Sequence, residues 1–204
     1  MANVLVIGSG GREHALCWRL KASPSVTQVF CSPGNDGIAE DATCIALGSP
    51  TEIIEFCKTR PVSLVVIGPE QPLVEGLSDK LKAAGIPVFG PSQMAAQLEG
   101  SKGFTKSLCK KYGIPTADYG FFTESGSAKD FLKGKTYPLV VKADGLAAGK
   151  GVVIAASERE AASAIDDMMG GKLGESGKSL IIEEFLEGEE VSFFALADGN
   201  TAIP

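Results

Sequence analysis

Apolar positions run without interruption in two places in the first half of the chain, Val4-Leu5-Val6-Ile7 and Leu64-Val65-Val66-Ile67. A strand apolar at every position is suited to burial on both faces, as in a parallel sheet covered by helices. Val26 to Cys31, Cys44-Ile45 and Val88-Phe89 read as further strands. Between them, helices are predicted from near Arg12, from Thr51 to about Lys58 with Ile53, Ile54, Phe56 and Cys57 inward, and from Leu73 to Ala84. This β/α alternation predicts an open α/β domain built on a parallel sheet, closed off by Gly90-Pro91-Ser92.

The pattern then changes. Ser101 to Lys110 reads as a helix with Phe104 and Leu108 on one face and Lys102, Lys106 and Lys110 on another, a stripe expected to be solvated. Gly113-Ile114-Pro115 ends it, and a helix follows around Ser127 to Leu132. Two short apolar strands, Leu139 to Val141 and Val152 to Ile154, flank a loop rich in Gly and Ala. Ser157-Glu158-Arg159-Glu160 is a capping-box signature opening a helix to about Met169, and Gly170 to Gly177 reads as a flexible connector. Leu180 to Ile182 is another strand, and Asp198-Gly199-Asn200 turns the chain into a return strand at Thr201 to Ile203. That strand stops at Pro204 as it begins, so the chain is expected to be the N-terminal part of a longer protein.

Composition narrows the function classes. With 204 residues, 44% hydrophobic and 22% charged, the chain can bury a core. A net charge of −6 gives no basic footprint, so neither nucleic acid nor an anionic membrane surface is an expected partner. Five cysteines without a C-x-x-C pair and a single histidine cannot form a Cys/His zinc site and are expected to be reduced. The N-terminus shows no signal or transit pattern, which predicts a cytoplasmic protein.

The candidate chemistry centres on Lys142, an ammonium at the end of an apolar strand, costly to bury unless an anion meets it. The following Gly145, Gly149 and Gly151 allow backbone N–H groups to approach phosphate oxygens, and Lys150 adds a mobile charge. The spacing is not that of a P-loop. Gly8-Ser9-Gly10-Gly11 at a helix start favours an anion, while Glu13 stands where a dinucleotide fingerprint needs glycine. Arg12, Glu13 and His14 form either part of that anion site or a solvated helical turn. Glu70, after the strand ending at Ile67, is either a ligand or a turn residue. The acids from Glu183 to Glu190 form either a solubilising edge or a hinge for an adenine edge and ribose.

Six blocks in order carry a resemblance: Gly8 to His14, Pro33-Gly34-Asn35, Gly68 to Leu73, Leu98 to Lys102, Val141 to Gly151, and Glu183 to Glu190. They resemble the phosphoribosylamine–glycine ligase (glycinamide ribonucleotide synthetase) family of the ATP-grasp superfamily, over the whole chain. The resemblance implies a pre-ATP-grasp Rossmann-like domain over 1–100, a connecting helix and linker over 101–122, and a small α+β nucleotide lobe over 123–192. Residues 193–204 would begin a second lobe. It implies ATP, glycine and 5-phosphoribosylamine as substrates, giving glycinamide ribonucleotide, ADP and phosphate through glycyl phosphate.

By the same resemblance, Lys102 and Lys142 hold ATP phosphates, and Asp144, Gly145, Gly149, Lys150 and Gly151 belong to the phosphate cover. Glu183, Glu184, Phe185 and Leu186 form the adenine hinge, and Glu190 holds the ribose. Phosphoribosylamine is placed on Gly10, Gly11, Arg12, Asn35 and Glu70. Ligands for magnesium or manganese are expected beyond Pro204, with none in this chain, so the chain alone is expected to be inactive. Fusion to or association with later purine-pathway enzymes is compatible with the family. The competing expectations are another ATP-grasp purine-pathway ligase or carboxylase, a nucleotide-cofactor oxidoreductase, and a non-catalytic nucleotide-binding fragment.

Overall fold

The computed structural model describes residues 2–147 and 149–204, without the side chain of Glu175; Ala148, inside the predicted phosphate loop, lies outside them. Two sheets organise the chain. In the first, β1 (Ala2–Gly8), β2 (Val26–Pro33), β3 (Thr43–Cys44), β4 (Val62–Ile67) and β5 (Val88–Phe89) run parallel in the order β3-β2-β1-β4-β5. The uninterrupted apolar runs explain its centre, because β1 and β4 are covered on both faces. Leu5, Ile7, Val65 and Ile67 pack with α2 (Pro50–Thr59) and α4 (Leu77–Ala83), while Val4, Val6 and Val66 pack around Cys17 of α1 (Gly11–Lys21).

The helix expected from Leu73 to Ala84 is two helices, α3 (Glu70–Val74) and α4, broken at Gly76, whose φ of +81° favours glycine. The first begins upstream of the expected start because Pro72 sits in its opening turn, where no N–H is needed. Two further helices, α5 (Gln93–Gly100) and α6 (Lys102–Tyr112), lead to the second sheet.

That sheet is antiparallel, in the order β6 (Tyr119–Phe122), β9 (Leu180–Glu184), β7 (Leu139–Ala143), β8 (Val152–Ala155). Helices α7 (Ser125–Leu132) and α8 (Glu158–Asp167) cover one face: Leu132 and Ile165 pack against Leu139, Val141, Leu180 and Ile182. Shortening the fully buried Ile165 to Ala would cost about 2–5 kcal/mol. The stretch expected as a flexible connector instead forms a π-helical turn (Met168–Lys172) and a 3-10 turn (Gly174–Gly177). Gly177 is required there, since a Cβ would lie 2.2 Å from the Met168 carbonyl oxygen. A short ribbon, β10 (Leu196–Ala197) with β11 (Ala202–Ile203), ends the chain, and Val191, Phe193 and Phe194 beside it are exposed. No helix among the described residues is long and apolar enough to cross a membrane.

Candidate functional site

The face of the antiparallel sheet turned away from α7 and α8 carries charge. Val140 lies opposite Glu183, and Lys142 opposite Ile181, so the two-residue period places all four on that face. Helix α6 packs over it, and a cleft of about 710 Å³ opens between the two sheets. Pro69 and the first two residues of α3, Glu70 and Gln71, contribute to its walls; the second unit contributes Lys102, Lys106, Lys142, Gly145, Gly149, Gly151 and Glu183.

Glu183 is the buried centre of this face, with only 5% of its surface exposed. One carboxylate oxygen pairs with Lys142, and the other with Lys106 at 2.7 Å. Burial pushes the Glu183 pKa up, but hydrogen bonds and charge from Lys106 and Lys142 outweigh it and hold the group below the ordinary glutamate range. The anion that the sequence demands at Lys142 is therefore in part the protein's own. It also corrects the reading of Lys102, Lys106 and Lys110 as one solvated stripe: Lys110 is exposed, Lys102 is half-buried, and the Lys106 side chain is 11% exposed. The partner that sequesters Lys106 lies far along the chain, so no local spacing could reveal it.

Lys102 opens α6 and its Nζ donates to the carbonyl oxygens of Asp144 and Gly145, both at 3.3 Å. Burial lowers its pKa below that of an ordinary lysine, and Lys142 lowers it further, against the opposing pull of Asp144, Glu99 and Glu183. Two ammonium groups that repel one another beside a glycine loop suit an anion.

Asp144, expected in the phosphate cover, has its carboxylate engaged within the protein. Its carboxylate accepts from the Gly103 N–H at 2.7 Å and from the Ser101 and Ser179 hydroxyls at 3.2 Å. It fastens the end of β7 to the first turn of α6. Among the loop glycines, Gly149 adopts φ +78°, and Gly145 lies so close to Ser176 that a Cβ would sit 2.9 Å from its Cα. Ser176 in turn donates to the Leu146 carbonyl at 2.7 Å, a support that the sequence did not reveal. Lys150 is exposed outside the cleft lining. Strand β9 ends at Glu184, whose carboxylate accepts from the Asp118 N–H at 3.0 Å, so Phe185 and Leu186 carry backbone beyond the sheet. Glu190 is exposed.

The other predicted group gathers at the carboxyl edge of the parallel sheet. The Arg12 guanidinium donates twice to Glu70, at 2.9 and 3.0 Å. A hydrogen bond from its own backbone N–H and then the Arg12 guanidinium hold the Glu70 carboxyl below its usual value, against burial. The Asn35 side chain donates to the Ser9 carbonyl at 2.7 Å and accepts from the Ile38 N–H at 2.8 Å, joining the loops after β1 and β2. Gly10 caps α1 and Gly11 opens it.

Glu13 is not a solvated turn residue. It is buried, accepts from the Gly10 N–H at 2.7 Å, and fills the space where a Cβ on Gly8 or Gly68 would fall within 2.6 or 2.2 Å of it. A glutamate in the fingerprint's glycine position thus locks two loops together. Its other oxygen is buried without a hydrogen-bond partner, with Arg12 Nε 3.6 Å away. Among the described residues no three His, Cys, Asp or Glu side chains converge to hold a metal ion.

A parallel-sheet domain joined to a small antiparallel lobe, with lysines and a glycine loop on its open face, defines the ATP-grasp class. Residues 2–99 match the family model for the phosphoribosylglycinamide synthetase N domain, and residues 100–204 that for its ATP-grasp (A) domain. The chain belongs to the phosphoribosylglycinamide synthetase family. It is 52% identical to the phosphoribosylamine–glycine ligase of Rhizobium meliloti and 54% identical to that of Agrobacterium fabrum, covering 98% of this chain and 48% of the relative in each case. The crystal structure of the Thermotoga maritima ligase superposes with a TM-score of 0.82 at 33% identity, covering 98% of this chain and 48% of that one. The chain thus spans about half the length of the curated relatives it matches.

Proposed function

We propose that the complete gene product ligates glycine to 5-phosphoribosylamine at the expense of ATP, giving glycinamide ribonucleotide, ADP and phosphate. The observation that carries this reading is the cleft in which Lys102 and Lys142 face the glycine loop, in a chain whose two halves match the two family models in order. A glycine carboxylate oxygen attacks the γ-phosphorus, the bond to ADP breaks, and the amine of phosphoribosylamine then displaces phosphate from glycyl phosphate. Such chemistry depends on position and charge more than on protein nucleophiles.

In this reading Lys102 and Lys142 hold the phosphates, and the N–H groups of Gly145, Gly149 and Gly151 close over them. Asp144 and Lys150 flank that cover, Asp144 by fixing α6. Residues Glu183 to Leu186 present the adenine edge and Glu190 the ribose. Phosphoribosylamine lies at the carboxyl edge of the parallel sheet, on Gly10, Gly11, Arg12, Asn35 and Glu70. Arg12 and Glu70 already share two hydrogen bonds there, which supports one site. A divalent magnesium or manganese, when bound, would neutralise charge on the transferring phosphoryl group. Residues 1–100 serve as the first domain, 101–122 as connector, 123–192 as the small nucleotide lobe and 193–204 as the start of the second.

The test is a discontinuous assay for glycinamide ribonucleotide with ATP, magnesium, glycine and freshly generated phosphoribosylamine. The complete gene product should form it with all three substrates present, and the 204-residue chain alone should form none. Absence of product from the folded complete gene product would refute the proposal.

A further inference from the structure

Lys106 has no donor left for a ligand. A lysine ammonium carries three N–H groups. Here one reaches Glu183 at 2.7 Å, one the Thr116 hydroxyl at 2.8 Å and one the Ala117 carbonyl at 3.0 Å, with the ammonium 5.4 Å above the Tyr119 ring. Lys142, by contrast, has only Glu183 as a partner among the described residues, which leaves it free donors facing the cleft. Two ammonium groups therefore share one buried carboxylate, and only one of them can turn to an incoming anion.

We propose that Lys106 is a positioning residue that acts as the standing counter-ion of Glu183, so that Lys142 can give its charge to a phosphate without stranding a buried carboxylate. The inference rests on the reading of the cleft as a nucleotide-phosphate site. Without Lys106, Glu183 and Lys142 form a closed pair of no net charge. Pulling Lys142 toward a phosphate would then leave an uncompensated buried anion, which is strongly unfavourable. Lys106 thus sets affinity for the phosphates while touching none of them.

The experiment is a double-mutant cycle in the complete gene product, with adenylyl imidodiphosphate and magnesium titrated by calorimetry into wild type, Lys106→Met, Glu183→Gln and the double variant. Lys106→Met should weaken binding by about tenfold, the scale of a charge-assisted hydrogen bond. In the Glu183→Gln background the same substitution should change affinity by less than about twofold, because an uncharged amide needs no counter-ion. Circular dichroism checks the fold. Should Lys106→Met not fold, Lys106→Gln, which keeps a donor for Thr116 or Ala117, carries the same expectation. An equal loss in both backgrounds would make Lys106 a packing residue only and overturn the proposal, as would no loss in either. Failure of wild type to bind the nucleotide would overturn the phosphate-site reading and this inference with it.

Discussion

Replacing Asp144 by Ala separates the role that the structure gives it from the direct nucleotide contact implied by the resemblance. The carboxylate accepts from Gly103 N–H, in the first turn of α6, and from the hydroxyls of Ser101 and Ser179. Gly103 is buried, so water cannot take over, and an unsatisfied N–H there costs about 1–3 kcal/mol. Loss of a negative group at the helix N-terminus adds about 0.3–1 kcal/mol. The serine hydroxyls can find other acceptors and are given no weight. The sum is a loss of roughly 1.3–4 kcal/mol, most of it from the one amide.

Urea unfolding followed by circular dichroism reads this directly. Asp144→Asn, which keeps an acceptor but not the charge, should lose less than half as much. Nucleotide affinity should fall as well, because Lys102 begins the same helical turn and its Nζ rests on the Asp144 and Gly145 carbonyls. Stability within about 0.5 kcal/mol of wild type, the range of an ordinary surface substitution, would refute the fastening role. If affinity alone then fell, the side chain would be acting on the nucleotide itself.

Three further outcomes are expected. Lys142→Met should weaken binding of an ATP analogue by about 1.5–3 kcal/mol in calorimetry while the fold persists, since Lys106 still partners Glu183; unchanged affinity would dismiss the phosphate role. Hydrogen exchange at the amides of Gly145, Gly149 and Gly151 should slow when a non-hydrolysable ATP analogue is added, and equal exchange with and without it would make the loop an ordinary hairpin. Because the pKa of Glu183 is depressed in the folded state, its contribution is present above the unfolded value near 4.3 and lost as pH falls through the folded value. Glu183→Gln should therefore flatten the acid limb of the stability profile, and an unchanged limb would count against the two-lysine pairing.

The parallel sheet was legible because burial on both faces leaves an unbroken apolar run, as in Val4 to Ile7 and Leu64 to Ile67. Lys142 was legible for the opposite reason, as the one charge in an apolar strand. What the sequence concealed depends on distant partners. Glu13 looks like the polar first turn of a helix until Gly68 closes over it, and Lys106 looks like one member of a solvated stripe until Glu183 meets it. Asp144 sits inside a glycine-rich run, yet its partners include Ser101 and Gly103, brought near by the fold alone. One helix was expected from Leu73 to Ala84, and the left-handed conformation of Gly76 divides it into two. The family resemblance supplied ligand identities that no spacing of residues states.

The most direct measurement of the central claim is a crystal structure of the complete gene product with a non-hydrolysable ATP analogue and magnesium. The phosphates should lie within hydrogen-bond distance of Lys102 and Lys142 and under the amides of Gly145, Gly149 and Gly151, with the adenine edge on the backbone from Glu183 to Leu186 and Lys106 still bound to Glu183. A nucleotide bound elsewhere, with both cleft lysines facing only protein or solvent, would contradict the account.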